Sequence, residues 1–125
     1  MNDSELKKFA TRYAQAWCSH HPEAVLAFYA ENALISVNDG APMPIGEVAQ
    51  SFVRDFPDMV VTFDKLVERP NRVEFHWTLT GRYAANGNRV RISGYELWKI
   101  DKDELIAESK GHFDAADYMR QLEGK

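Results

Sequence analysis

The residues of this chain best suited to chemistry stand close together near its end. The stretch NRVRISGYELWKIDKDELIAESKGHFD, Asn88 to Asp114, holds Glu96, Lys110, His112 and Asp114. Two carboxyl groups, an ammonium and an imidazole are a set suited to general acid–base work, because imidazole and carboxyl groups can take and return protons near neutral pH. The chain has no glycine-rich phosphate loop, no metal-spaced cysteine set and no nucleophile elbow. His20 and His21 are adjacent, a poor metal site without further ligands. Binding is therefore expected to need no metal and no organic cofactor.

Those groups converge only if two strands carry them on one face. The stretch reads as two antiparallel strands joined at Asp101-Lys102-Asp103. Side chains alternate with period two, so Val90, Ile92, Gly94, Glu96, Trp98 and Ile100 share the more apolar face, which looks into the core. On the second strand Ile106, Glu108, Lys110, His112 and Asp114 share a face. If that face joins the Glu96 face, Asp114 and His112 form the polar end of an otherwise apolar cavity. Glu96 among apolar neighbours is either a neutral acid or an ionised partner of Lys110. Asp114 is either an acid/base or the N-cap of a helix beginning at Ala115-Ala116-Asp117.

The elements that hold these strands can be read in order. A helix starts near Asp3 or Ser4, with Leu6, Phe9, Ala10, Tyr13, Ala14 and Trp17 as one apolar stripe. Its Tyr13 and Trp17 are placed to roof the cavity. Pro22 opens a second helix with Val25, Phe28 and Tyr29 as its buried face. Leu34 to Val37 is a short strand. A third helix runs from about Gly46 to Phe56, buried through Val48, Phe52 and Phe56, and Pro57 ends it. Met59 to Val67 and Arg72 to Tyr83 are strands, and Asn86-Gly87 is a hairpin signal. Residues 115 to 122 read as a turn or two of helix. Helices first and antiparallel strands after predict an α+β fold. Phe52, Trp77 and Trp98 complete the expected apolar wall beside Trp17. His76 falls on the other sheet face.

A chain of 125 residues fits one domain spanning 1–125. Its apolar and charged fractions are ordinary for a soluble globular protein. A net charge of −4 with no Lys/Arg cluster argues against a nucleic-acid partner. The single cysteine, Cys18, makes no internal disulfide and points to a reducing compartment. No signal-peptide pattern or membrane-length apolar run is present, so the expected location is the cytoplasm. The strand face with Arg89, Arg91, Tyr95 and Leu97, together with Phe113, is left uncovered by the helices and predicts a homodimer.

Several segments carry a family resemblance: RYAQAW, AVLAFYAENALI, IGEVAQSF, GYELWKI and LIAESKGHFDAADYMRQL. With them the chain resembles the SnoaL-like group of the nuclear transport factor two-like superfamily. The resemblance implies a conical α+β barrel, three N-terminal helices packed on a strongly bent antiparallel sheet, usually dimeric, with a deep pocket. It places Tyr13 at the tyrosine of ketosteroid isomerases and Glu96 at their neutral acid, but Val37 at their base. The arginine-aspartate pair of limonene-epoxide-hydrolase-like enzymes is absent: Arg89 is followed by Arg91, and Arg91 by Ser93. Asp114 matches the acid/base of SnoaL-like cyclases. The implied function is cofactor-free cyclisation or isomerisation of an apolar carbonyl compound by Asp114, His112, Glu96 and Tyr13. The alternatives are a binder of an apolar metabolite and a dimeric interaction module.

Overall fold

The computed structural model describes residues 1–125. Helix α1, Asp3–Cys18, begins at a capping box: the Asn2 side chain accepts from the Glu5 amide, and the Glu5 carboxylate accepts from the Asn2 amide. The cap is therefore Asn2, not Asp3 or Ser4, because only Asn2 has a glutamate three residues on. The expected stripe is buried. Helix α2 is only Pro22–Leu26. Tyr29 is not on it but opens strand β1, Tyr29–Val37. Strand β2 is Met43–Pro44 and helix α3 is Ile45–Asp55. Strands β3, Val60–Arg69, β4, Arg72–Arg82, β5, Arg89–Ile100, and β6, Ile106–Phe113, follow, and helix α4, Ala115–Leu122, ends the chain.

The class is α+β, with one curved six-stranded sheet that does not close on itself. Its order is β2-β1-β6-β5-β4-β3. All neighbours pair antiparallel except β1 and β6, which are parallel. The parallel pair is possible because α3 and four further strands lie between β1 and β6 in sequence. Beside the three N-terminal helices there is thus a fourth, and the sheet is mixed rather than wholly antiparallel.

The register of β5 on β6 decides which groups meet. Gly94 pairs with Phe113, Glu96 with Gly111 and Trp98 with Ser109, but then Ile100 pairs with Ile106. One residue, Ala107, is accommodated as a bulge. A bulge adds one residue to one strand and reverses the facing beyond it. Ile106 and Ser109 are therefore both buried although three residues apart. From Glu108 onward the even-numbered residues of β6 face away from Glu96.

Two glycines give the inner face its shape. Gly94 lies between Trp77 of β4 and Phe113 of β6 in the register. A Cβ there would stand 2.2 Å from the His112 carbonyl oxygen and 2.9 Å from the Trp77 ring. Without it the Trp77 and Phe113 rings meet edge to face, 6.0 Å apart. Gly111, opposite Glu96, leaves open space where another residue would put a side chain. Helix α4 covers the part of β5 that β6 does not reach. The Gln121 amide bonds both the N–H and the C=O of Arg91, as a neighbouring strand would.

Candidate active or binding site

Glu96 is the centre of a buried hydrogen-bond cluster assembled from four elements. It is 7% exposed. Its Oε1 accepts from the Tyr13 hydroxyl of α1 at 2.9 Å and the Tyr29 hydroxyl of β1 at 3.0 Å. The same oxygen accepts from the Ser109 hydroxyl of β6 at 2.8 Å and from Trp98 Nε1 on its own strand at 3.1 Å. The other oxygen, Oε2, has one partner, Tyr13, at 3.1 Å. The two tyrosine hydroxyls also lie 2.7 Å apart. One tyrosine donates to the other and the second to the carboxyl, so at least three donated hydrogens reach Glu96. Oε2 is left able to carry a proton or to meet a ligand.

Two forces oppose each other at this carboxyl. Burial pushes the Glu96 pKa up, and the bonds from Ser109, Trp98, Tyr13 and Tyr29 pull it down; burial is the larger, so the net shift is upward. Tyr13 and Tyr29 are both held well above the ordinary tyrosine range, first by burial and then by the neighbouring Glu96. Both phenols therefore stay protonated as donors.

Glu96 stands at the edge of an apolar cavity. The wall is made by Trp17 of α1, Ile35 and Val37 of β1, Val48 and Phe52 of α3, and Val61, Phe75, Trp77, Leu79, Gly111 and Phe113 from β3, β4 and β6. Ten of the twelve lining residues are hydrophobic, and Glu96 is the only ionisable one. The free volume is about 60 Å³, roughly four or five times what admits one water molecule. That suits a compound of a few heavy atoms. Drug-sized ligands occupy clefts of about 300 Å³ or more.

The expected convergence of Asp114 and His112 on this cavity does not occur. His112 pairs with Tyr95 on the outer face and packs against its ring, 5.0 Å between centroids. It lines a shallow outer groove with Asn38, Ser93 and Tyr95. Asp114 is exposed, and its carboxylate accepts from the Asp117 amide at 3.0 Å as the N-cap of α4. The cap reading of Asp114 is thus the geometry found, and the acid/base reading loses its place at the cavity. Lys110 is also outside, half exposed and 3.9 Å from Glu108, so it does not pair with Glu96. The physical reason is common to all three. The Glu96–Gly111 register turns the odd-numbered residues of β6 inward and the even-numbered ones outward. Phe113, expected on the outer face, is by the same register on the cavity wall.

The other expected positions are occupied as follows. Tyr13 bonds Glu96, while Trp17, Phe52 and Trp77 stand on the wall. Trp98 is fully buried behind Glu96, stacked on Phe75 at 4.9 Å, and touches the site through its indole N–H rather than the cavity. Tyr29 and Ser109 were missed by sequence reasoning. Tyr29 continues the helical spacing of Val25 and Phe28, and the bulge hides Ser109. The spacing Ser109-Gly111-Phe113 held a usable signal: a small polar, a glycine and an aromatic at period two make an inner face as readily as the charged set beside them. No three His, Cys, Asp or Glu residues are grouped to hold a metal ion.

The model for the SnoaL-like domain family matches residues 10–109. The chain belongs to the SnoaL-like family. Solved structures share its fold at low identity. TsrD from Streptomyces laurentii superposes with a TM-score of 0.81 at 17% identity, covering 98% of this chain and 97% of that one. A protein with a ketosteroid isomerase-like fold from Catenulispora acidiphila, in complex with trimethylamine, gives 0.79 at 17% identity over 92% of both chains. SalBIII, an epoxide hydrolase/cyclase-like enzyme of pyran ring formation in the polyether salinomycin, gives 0.79 at 16% identity, covering 94% and 97%. No protein with curated annotation matches in sequence. No helix of this SnoaL-like chain is long and apolar enough to cross a membrane.

Proposed function

We propose that this SnoaL-like protein holds a small, mainly apolar molecule in the cavity, with one polar group of that molecule against Glu96. The observation that carries the reading is the isolation of Glu96, the only ionisable side chain on an apolar wall. Such a site fixes orientation through one polar contact and gains affinity from burial. It supplies only half of an acid–base pair. Proton abstraction next to a carbonyl needs a base and a separate group facing the forming oxyanion. Val37, which the family resemblance aligns with the base of ketosteroid isomerases, lines the cavity with an aliphatic side chain, and the four hydrogen-bonding neighbours of Glu96 are turned toward Glu96 itself. The size of trimethylamine in the Catenulispora relative supports a ligand of a few heavy atoms. The test is a titration with tert-butanol followed by the indole N–H signals in NMR. Saturable shifts of Trp17 and Trp77 support the reading. Shifts confined to exposed residues contradict it.

A second reading is favoured by the raised pKa of Glu96 and by the enzymatic character of relatives such as SalBIII. Here Glu96 alone moves a proton, taking it from the carbon beside a carbonyl and returning it to the same or a nearby carbon. The test is deuterium exchange at the α-carbon of 2-butanone in heavy water. Exchange above the buffer rate, lost in Glu96→Gln, supports it; exchange at the buffer rate removes it.

A second copy of the chain is proposed as the partner across the outer face of β4, β5 and β6. The rings of His76, Tyr95 and His112 stack across that face without a covering element. Sedimentation at micromolar concentration distinguishes a dimer from a species near 14.3 kDa.

A further inference from the structure

Five of the cavity's wall residues are aromatic: Trp17, Phe52, Phe75, Trp77 and Phe113. They come from α1, α3, β4 and β6, so the rings face the space from several sides. Trp17 and Phe52 meet edge to face at 6.2 Å, and Trp77 and Phe113 at 6.0 Å. A ring that turns its face to such a space lends it negative potential, which attracts a cation; Phe75, stacked on both Phe63 and Trp98, contributes apolar bulk instead. The one ionisable wall group is a carboxyl, and nothing basic shares the cavity with it. Lys110, the nearest expected counter-charge, lies on the outer face.

The donors around the carboxyl offset part of the cost of charging it. Donors from Tyr13, Tyr29, Ser109 and Trp98 surround Oε1, and these contacts suit an ionised oxygen. Oε2 keeps acceptor capacity that the protein does not use, with Tyr13 its single partner. An ammonium hydrogen is the natural complement of that oxygen. Alkyl groups on the same nitrogen complement the rings. A neutral alcohol of the same shape would gain the apolar contacts and a hydrogen bond to Glu96, but no charge attraction.

Resting on the reading of this cavity as a small-molecule site, we propose that its ligand is a small protonated alkylamine. The N–H of the amine bonds Glu96 Oε2 and its alkyl groups sit among Trp17, Phe52, Trp77 and Phe113. No bond is made or broken; the cation and carboxylate pair, and the rings replace water around the alkyl groups. The free volume of about 60 Å³ limits the substituents to methyl or ethyl size.

The test compares three probes on the full chain by calorimetry at pH 7: trimethylammonium, tetramethylammonium and tert-butanol. They are close in size, but only the first has both charge and N–H. Trimethylammonium is expected to bind about tenfold or more tighter than tert-butanol, with tetramethylammonium between them. In Glu96→Gln the ratio of trimethylammonium to tert-butanol affinity is expected to fall to about one. Trp77→Leu, which keeps apolar bulk but removes a ring, provides a second variant that leaves the carboxyl cluster intact. It is expected to weaken the two cations more than the alcohol. Equal binding of trimethylammonium and tert-butanol by the unaltered protein overturns the proposal and leaves the small-molecule reading standing. An undiminished cation preference in Glu96→Gln also overturns it. Binding of none of the three probes by folded protein overturns both.

Discussion

The two faces of the β5–β6 hairpin carry similar chemical groups and put them to different uses. On the inner face, Glu96 meets Ser109, Trp98 and, from other elements, Tyr13 and Tyr29, all buried. Away from that cluster, Glu108 meets Arg72 and Lys110 in long, half-exposed ion pairs, His112 packs on the Tyr95 ring, and Asp114 caps α4. An exposed pair at such distances contributes little. A buried carboxyl must instead be satisfied completely, because each unpaired group in the interior costs about 1–3 kcal/mol. Residue type names the available chemistry, but only the inner face has desolvation to change a pKa and enclosure to hold a ligand.

The comparison is broken most severely by emptying the inner cluster. Glu96→Leu leaves four donors facing an apolar side chain and is expected to cost about 3–5 kcal/mol in urea unfolding at pH 7. Glu96→Gln, which keeps the shape and one acceptor, is expected to stay within about 1 kcal/mol of the unaltered protein. A large loss in Glu96→Gln would show that the cluster requires the ionised form.

Next in size is Gly94→Ala. The added Cβ meets a backbone oxygen that cannot rotate away, so the strands must separate there. A loss of about 2–3 kcal/mol is expected, with the Trp77 signal altered in near-ultraviolet circular dichroism. Gly111→Ala should behave oppositely. Its Cβ would meet only the Ser36 carbonyl oxygen at 3.7 Å, an ordinary contact. Stability is expected to change by less than about 1 kcal/mol, while probe affinity falls because the methyl group occupies the cavity beside Glu96. Stability loss as large as in Gly94→Ala would mean that the space is not free.

The pH dependence follows from the direction of the Glu96 shift. Its folded pKa lies above the unfolded value. Its contribution is therefore fully present below the unfolded value. As pH rises the unfolded chain releases its proton first, stability falls, and the loss stops growing above the folded value. Tyr13 and Tyr29, the other titratable groups facing Glu96, are shifted upward and remain neutral through that window. The stability difference between unaltered protein and Glu96→Gln should thus move against the unaltered protein from acid to neutral pH. The opposite slope would mean that the bonds outweigh burial.

The smallest effect belongs to the outer face. Asp114→Asn keeps a side-chain oxygen for the Asp117 amide and is expected to change stability by less than about 0.5 kcal/mol, with probe affinity unchanged. Loss of affinity in that variant would restore Asp114 to the site.

Much of this was legible in the sequence. The stripe on α1, the burial of Glu96 and the α+β class follow from periodicity, because those elements are regular over many residues. The partner side of the cavity was not. A single bulge at Ala107 lets Ile106 face inward while Lys110 and His112 face outward, and period two cannot detect a bulge. Tyr29 follows Val25 and Phe28 at helical spacing, yet the helix stops at Leu26 and the chain extends so that the tyrosine reaches Glu96. The two readings of Asp114 could not be separated from sequence, since an aspartate before Ala115-Ala116-Asp117 caps a helix whether or not a cavity lies near.

The central claim, that Glu96 and not Asp114 is the carboxyl group of the site, is tested most directly by one NMR titration. The side-chain carboxyl ¹³C signals are followed against pH with and without tert-butanol. The account predicts that Glu96 titrates above the exposed glutamates and that its signal moves when the probe binds, while the Asp114 signal is indifferent to the probe. A Glu96 signal that titrates with the exposed glutamates and ignores the probe, beside an Asp114 signal that responds to it, would contradict the account.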